Sequence, residues 1–182
     1  MKRIFQLIIF SLFVGISAPA QTIKFMGIPV DGTPASFAQK LIAKGAKRAT
    51  PNNNGDFIMD FAGYSNCEVY VFAVHNKVAH VGVNILEADN WNKLYTTYRI
   101  FKNRLTKKYG QPDYELENML ESTSSDYEKF DAIQNGKSFG CQFNKENGTV
   151  KLMIGYFSHS YKGYVAISYV NPKNDAASDD DL

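Results

Sequence analysis

Apolar residues change their spacing several times along this chain, and each change marks an element. Residues 4–16 are an almost unbroken apolar run, preceded by Lys2 and Arg3 and followed by the small residues Ser17-Ala18-Pro19-Ala20. A positive start, a short apolar run and an Ala-x-Ala end make the pattern of a cleavable secretory signal peptide over residues 1–20, with Gln21 as the first mature residue. The run is shorter than the roughly 20 residues that span a bilayer. No later stretch is long and apolar enough to do so, and the first cysteine, Cys67, lies too far on to be a lipoprotein anchor. The mature chain is expected to be soluble, without a transmembrane segment, and periplasmic or secreted.

A short strand over 22–28 precedes Asp31-Gly32-Thr33-Pro34, where Thr33 suits a helix N-cap and Pro34 the first turn. Phe37, Ala38, Leu41 and Ile42 form the apolar stripe of that helix, and Gly45 stops it. After the turn residues 51–55, alternation with period two predicts strands over 56–62, 66–74 and 78–86. Pairing Val74 with Val78 across a His75-Asn76-Lys77 loop sets Val71 against Val81, Val69 against Val83 and Cys67 against Ile85 on one face. The other face then carries Phe72 against His80, Tyr70 against Gly82 and Glu68 against Asn84. A one-residue slip would mix the two sets, so the pattern itself selects the register. The valine face is core; the second face is open.

A longer helix begins at a cap on Asp89. Trp91, Leu94, Tyr95, Tyr98, Phe101 and Leu105 recur in it at three- and four-residue steps, and Gly110-Gln111-Pro112 ends it. Residues 113–131 hold seven acids against the single base Lys129. They lack calcium-loop spacing. The segment, with a short helix over 125–135, is expected to fold back beside the basic end of the long helix, formed by Lys102, Arg104, Lys107 and Lys108. Strands over 137–143, 149–156 and 164–170 follow, the first two joined at Asn147-Gly148.

This order predicts an α+β fold of two units, each a helix plus a three-stranded antiparallel meander, with the helices packed on one face of the sheet. The units would be an internal repeat over 33–86 and 89–170 within one domain, 21–171. The acidic tail 172–182, ending in Asp179-Asp180-Asp181, is expected to be disordered. From Thr33 to Val170 the element order behind a signal peptide resembles that of β-lactamase-inhibitor-protein-like domains. The smaller outer-membrane assembly lipoproteins of the BamE type have a similar single unit, although this chain lacks their lipidated cysteine. The resemblance implies a non-enzymatic binder.

The full chain carries a net charge of +2, and loss of Lys2 and Arg3 brings it near zero. Nucleic acid selects a strongly basic surface, so it is excluded as a partner. Cys67 and Cys141 both fall on core-facing strand positions. They read as two buried thiols or, in an oxidising compartment, as a possible disulfide, and spacing alone does not bring their Cα atoms together.

The histidines His75, His80 and His159 lack metal-ligand spacing, no Gly-x-Ser-x-Gly occurs, and the glycines form no phosphate loop. No cofactor is expected. With 11 tyrosines and 13 phenylalanines, aromatic residues exceed what a small core needs, which points to a recognition surface. The expected contact residues are Tyr70, Phe72, His80 and Asn84, with Tyr161 in the last hairpin loop, and the partner is another protein or a cell-envelope component. The alternative is an envelope hydrolase with a site near His80 and Glu68.

Overall fold

The computed structural model describes residues 22–51, 55–117, 125–157 and 162–175. Near the N-terminus β1 (Lys24–Phe25) and β2 (Ile28–Pro29) form a two-stranded ribbon rather than one strand. The turn between them uses Met26 and Gly27 at positive φ, a conformation that glycine adopts without strain. Helix α1 (Pro34–Ala43) starts as its sequence predicts, with the Thr33 side chain accepting from the Ser36 N–H and Pro34 in the first turn. Helix α2 (Trp91–Tyr109) is capped by Asn90, whose side chain accepts from the Lys93 N–H, one residue beyond the expected Asp89. Helix α3 (Asp126–Gln134) carries a reciprocal capping box between Ser125 and Glu128.

The expectation of two separate helix-plus-meander units is overturned. Strand makes up 46% of the described residues against 30% helix, in one eight-stranded antiparallel sheet beside the small ribbon. Its strands are β3 (Lys47–Arg48), β4 (Asp56–Phe61), β5 (Tyr64–Val74), β6 (Lys77–Ala88), β7 (Tyr114–Leu116), β8 (Phe139–Lys145), β9 (Gly148–Phe157) and β10 (Lys162–Val170). They lie in the order β3-β4-β5-β6-β10-β9-β8-β7. The cause is the pairing of β6 with β10, from Gly163 opposite Ala88 to Val170 opposite His80, which fuses all the strands into one surface. Period-two alternation reports which face a residue takes but not which strand lies beside it. The edge strands β3 and β7 are too short to show any period.

Between β5 and β6 the predicted register holds: Glu68 pairs with Asn84, Val69 with Val83, Tyr70 with Gly82, Val71 with Val81 and Phe72 with His80. The turn is tighter than expected. His75 and Asn76, both at positive φ, form a two-residue hairpin turn in which Val74 pairs with Lys77, and a bulge after Phe72 restores the register. The valine face joins Val150, Leu152 and Ile154 of β9 and Val165 and Ile167 of β10 in one buried cluster. Phe37 and Leu41 of α1, Trp91, Leu94, Tyr98 and Phe101 of α2 and Phe130 of α3 belong to the same cluster, so these three helices cover a single face. No helix among the described residues is long and apolar enough to cross a membrane.

The tail also differs from its expectation over four residues. Pro172–Asp175 form a helical turn, α4, whose Asn171 cap accepts from the Lys173 N–H. Asn171 donates to the Val30 carbonyl, and Asn174 donates to the Val78 carbonyl and to Asp31. Residues 176–182 and the predicted signal peptide lie outside the described residues.

Candidate functional site

Among the described residues, the face of the sheet opposite α1, α2 and α3 is laid out in cross-strand rows. One runs Asp56, Tyr70, Gly82, Ser168, Lys151, Gln142, Tyr114 from β4 to β7. The next runs Lys47, Ile58, Glu68, Asn84, Ala166, Met153, Gly140, Leu116. Along each strand these residues alternate with the buried valine-face positions. Phe72 is 59% exposed, Tyr114 55% and Met153 39%, so large apolar side chains meet solvent on this face.

Tyr70, Phe72, His80 and Asn84 therefore share one face and two adjacent strands, as the sequence predicts. The phenol of Tyr70 donates to Glu68 Oε2 at 2.5 Å, and the Asn84 amide donates to the same oxygen at 3.5 Å. Burial, and then the adjacent Glu68, push the Tyr70 phenol well above its usual value, which keeps it protonated as a donor. Gly82 beside it leaves open space, since a Cβ there would meet nothing within 4 Å. Ser65, Asn66, Glu68, Asn84 and Glu87 border a polar cleft of about 340 Å³ at this end of the face. A second cleft of about 340 Å³, mainly apolar, lies over β8 and β9 between Tyr114, Leu116, Gly140 and Met153.

His80 and Glu68 are not brought together. His80 stands opposite Phe72, four residues along β5 from Glu68, which is roughly 13 Å. The partner of His80 is Asp175 of α4, with Nε2 and Oδ1 2.7 Å apart. Sequence reasoning missed Asp175 because it assigned residue 172 onward to a structureless tail. Asn171-Pro172 was the available signal, an N-cap residue followed by proline at the first helical position. Tyr161, the fifth expected contact residue, and His159 lie outside the described residues.

Cys67 and Cys141 are free and buried. They sit on β5 and β8, four strand spacings apart in the sheet order, roughly 19 Å. A disulfide needs Cα atoms within about 7 Å. Burial raises both thiols above their ordinary value, which keeps them protonated and unreactive. Among the described residues no group of three or more His, Cys, Asp and Glu stands close enough to hold a metal ion.

Among the described residues, only the start of the acidic segment folds back on the basic part of α2, at Lys102; its helix α3 lies instead at the N-terminal end of α2, where Asp126 accepts from the Trp91 N–H at 3.0 Å. The Lys102 ammonium donates to Glu117 at 2.6 Å and to Glu115 at 2.9 Å, and the buried Tyr98 phenol donates to Glu117 at 2.6 Å. Burial disfavours the Lys102 charge, but the two carboxylates outweigh it and hold its pKa above the ordinary value. These groups sit on the helix side of the molecule and tie α2 to β7. No protein-family model, no curated protein and no solved structure matches this chain.

Proposed function

We propose that this chain is an exported, non-enzymatic binding or scaffold protein of the bacterial cell envelope, and that it holds a protein or envelope ligand against the open sheet face. The observation that carries the reading is Phe72. It is a phenylalanine in mid-strand, 59% exposed, on a face with Tyr70, His80 and Asn84, while α1, α2 and α3 all pack on the opposite face. Exposed aromatic clusters bordered by hydrogen-bonding groups are a common form of protein contact surface. Export is supported by the charge, apolar run and small residues of positions 1–20. The hydrolase alternative has less support, since the backbone positions of its histidine and carboxylate lie roughly 13 Å apart along the strands by register.

Two measurements test the reading. N-terminal sequencing of protein from the envelope fraction should begin at Gln21; a mature protein that begins at Met1 would remove export from the proposal. Phe72→Ser should change stability by no more than about 0.5 kcal/mol. Tyr70→Ser, which leaves Glu68 with only the longer hydrogen bond from Asn84, should cost about 1–2 kcal/mol. The double variant should stay folded and lose its partner. If it unfolds, the face is ordinary core and the proposal falls.

A further inference from the structure

The open face has an unequal distribution of charge. On the β4–β5–β6 side Asp56, Glu68 and Glu87 surround Tyr70, and Asp175 pairs with His80. Lys47, on the outermost strand, and Lys77, at the β5–β6 turn, are bases on that side. On the other side Lys151 and Lys162 project from β9 and β10, and Lys137 borders the apolar cleft. The change of sign falls at the β6–β10 seam, which is also the centre of the strand order. Along that seam the residues are small: Gly82 faces Ser168, and Asn84 faces Ala166.

We propose that this face is an isologous interface with a second copy of the chain, two sheets packed face to face about a two-fold axis parallel to the strands at the β6–β10 seam. The inference rests on the reading of the face as a protein contact surface, and it names the partner. Such an axis stacks β5 of one copy on β9 of the other. Lys151 of each copy then meets the Asp56–Tyr70–Glu68 group of its mate, twice per dimer. An axis across the strands would instead set acid against acid, so the charge pattern selects one of the two arrangements. Small residues at the seam let two sheets approach to the roughly 10 Å of a β-sandwich. The six longer strands, from β4 to β8, measure roughly 24 Å across and 24 Å along, about 600 Å² a side. Two such faces bury about 1,200 Å², the lower bound of a specific stable interface.

The test is sedimentation equilibrium with a charge swap. The wild-type protein should be a dimer at about 100 µM, since standard interfaces hold complexes at micromolar concentrations or below and this one lies at their lower bound of size. Lys151→Glu and Glu68→Lys should each weaken the dimer by roughly tenfold or more, because each sets like charges in contact at two places. An equimolar mixture of the two should recover wild-type affinity to within about threefold, because both contacts are then complementary. Circular dichroism checks that each variant is folded. Should Glu68→Lys not fold, Glu68→Gln keeps the acceptor for Tyr70 and Asn84 and should still weaken the dimer. A wild-type protein that stays monomeric at about 1 mM, or folded variants whose mixture fails to recover, overturns the inference. A monomer in which the Phe72→Ser, Tyr70→Ser double variant stays folded leaves the open-face reading standing. Unfolding of that variant removes both.

Discussion

Glu68 is the acceptor on which the polar order of the open face depends. It is half-buried, it takes hydrogen bonds from both Tyr70 and Asn84, and it lies on the strand facing away from the valine core. Its placement was legible in the sequence, because valines alternate so regularly over 69–83 that any other register would bury polar groups. The pairing of His80 with Asp175 was not legible, since 95 residues separate them and no periodicity links a strand to a tail. The cysteines show the same division. Their inward orientation follows from alternation, whereas their separation follows from strand order, which alternation does not encode. Both thiols should therefore resist iodoacetamide in the native protein and react only on unfolding, with intact mass showing two free thiols. Rapid native labelling of Cys67 or Cys141, or a mass two hydrogens light, would contradict the burial and spacing described here.

Among the elements, α2 was read most completely, because nineteen residues give the helical period room to show. Trp91 and Phe101 are 5% and 2% exposed, the indole edge-on to Phe139 and the phenyl ring stacked with Phe61. Truncating either to alanine should cost about 3–5 kcal/mol. Lys107→Ala, on the solvent side, should change stability by no more than about 0.5 kcal/mol. Comparable losses for all three in denaturant melts would mean that the helix is rotated from the orientation described. The shortest helix, α4, escaped sequence reasoning because one turn shows no period, and its stability depends on its caps and partners. One of those partners is Asp31, which accepts from Asn174 and from the Gly32 N–H, and both bonds hold its carboxyl below the ordinary value of 3.8. A lowered folded value means that the contribution is present above pH 3.8 and is lost as pH falls through the folded value. In an acid titration followed by NMR, the Asn174 side-chain amide should shift below pH 3.8 ahead of any signal from α2. A signal that moves only with global unfolding would separate α4 from Asp31.

At the scale of the molecule, the faces were legible and the assembly was not. The register of β5 against β6 was legible apart from its turn, yet the seam that fuses the sheet pairs residues 80–88 with 163–170, and nothing local announces it. The seam has a further consequence for how the chain comes to be folded. The last strand, β10, lies in the interior of the sheet, between β6 and β9. Until residues 162–170 emerge, the earlier strands form two half-sheets whose inner edges, β6 and β9, expose unpaired backbone groups. Neither half can complete the core, because α2 touches strands from both. Completion therefore waits for the C-terminal part of the chain, and so many distant pairings make folding slow, in the millisecond-to-second range. A chain built in this way can close its core only after β10 has been made, late in its synthesis.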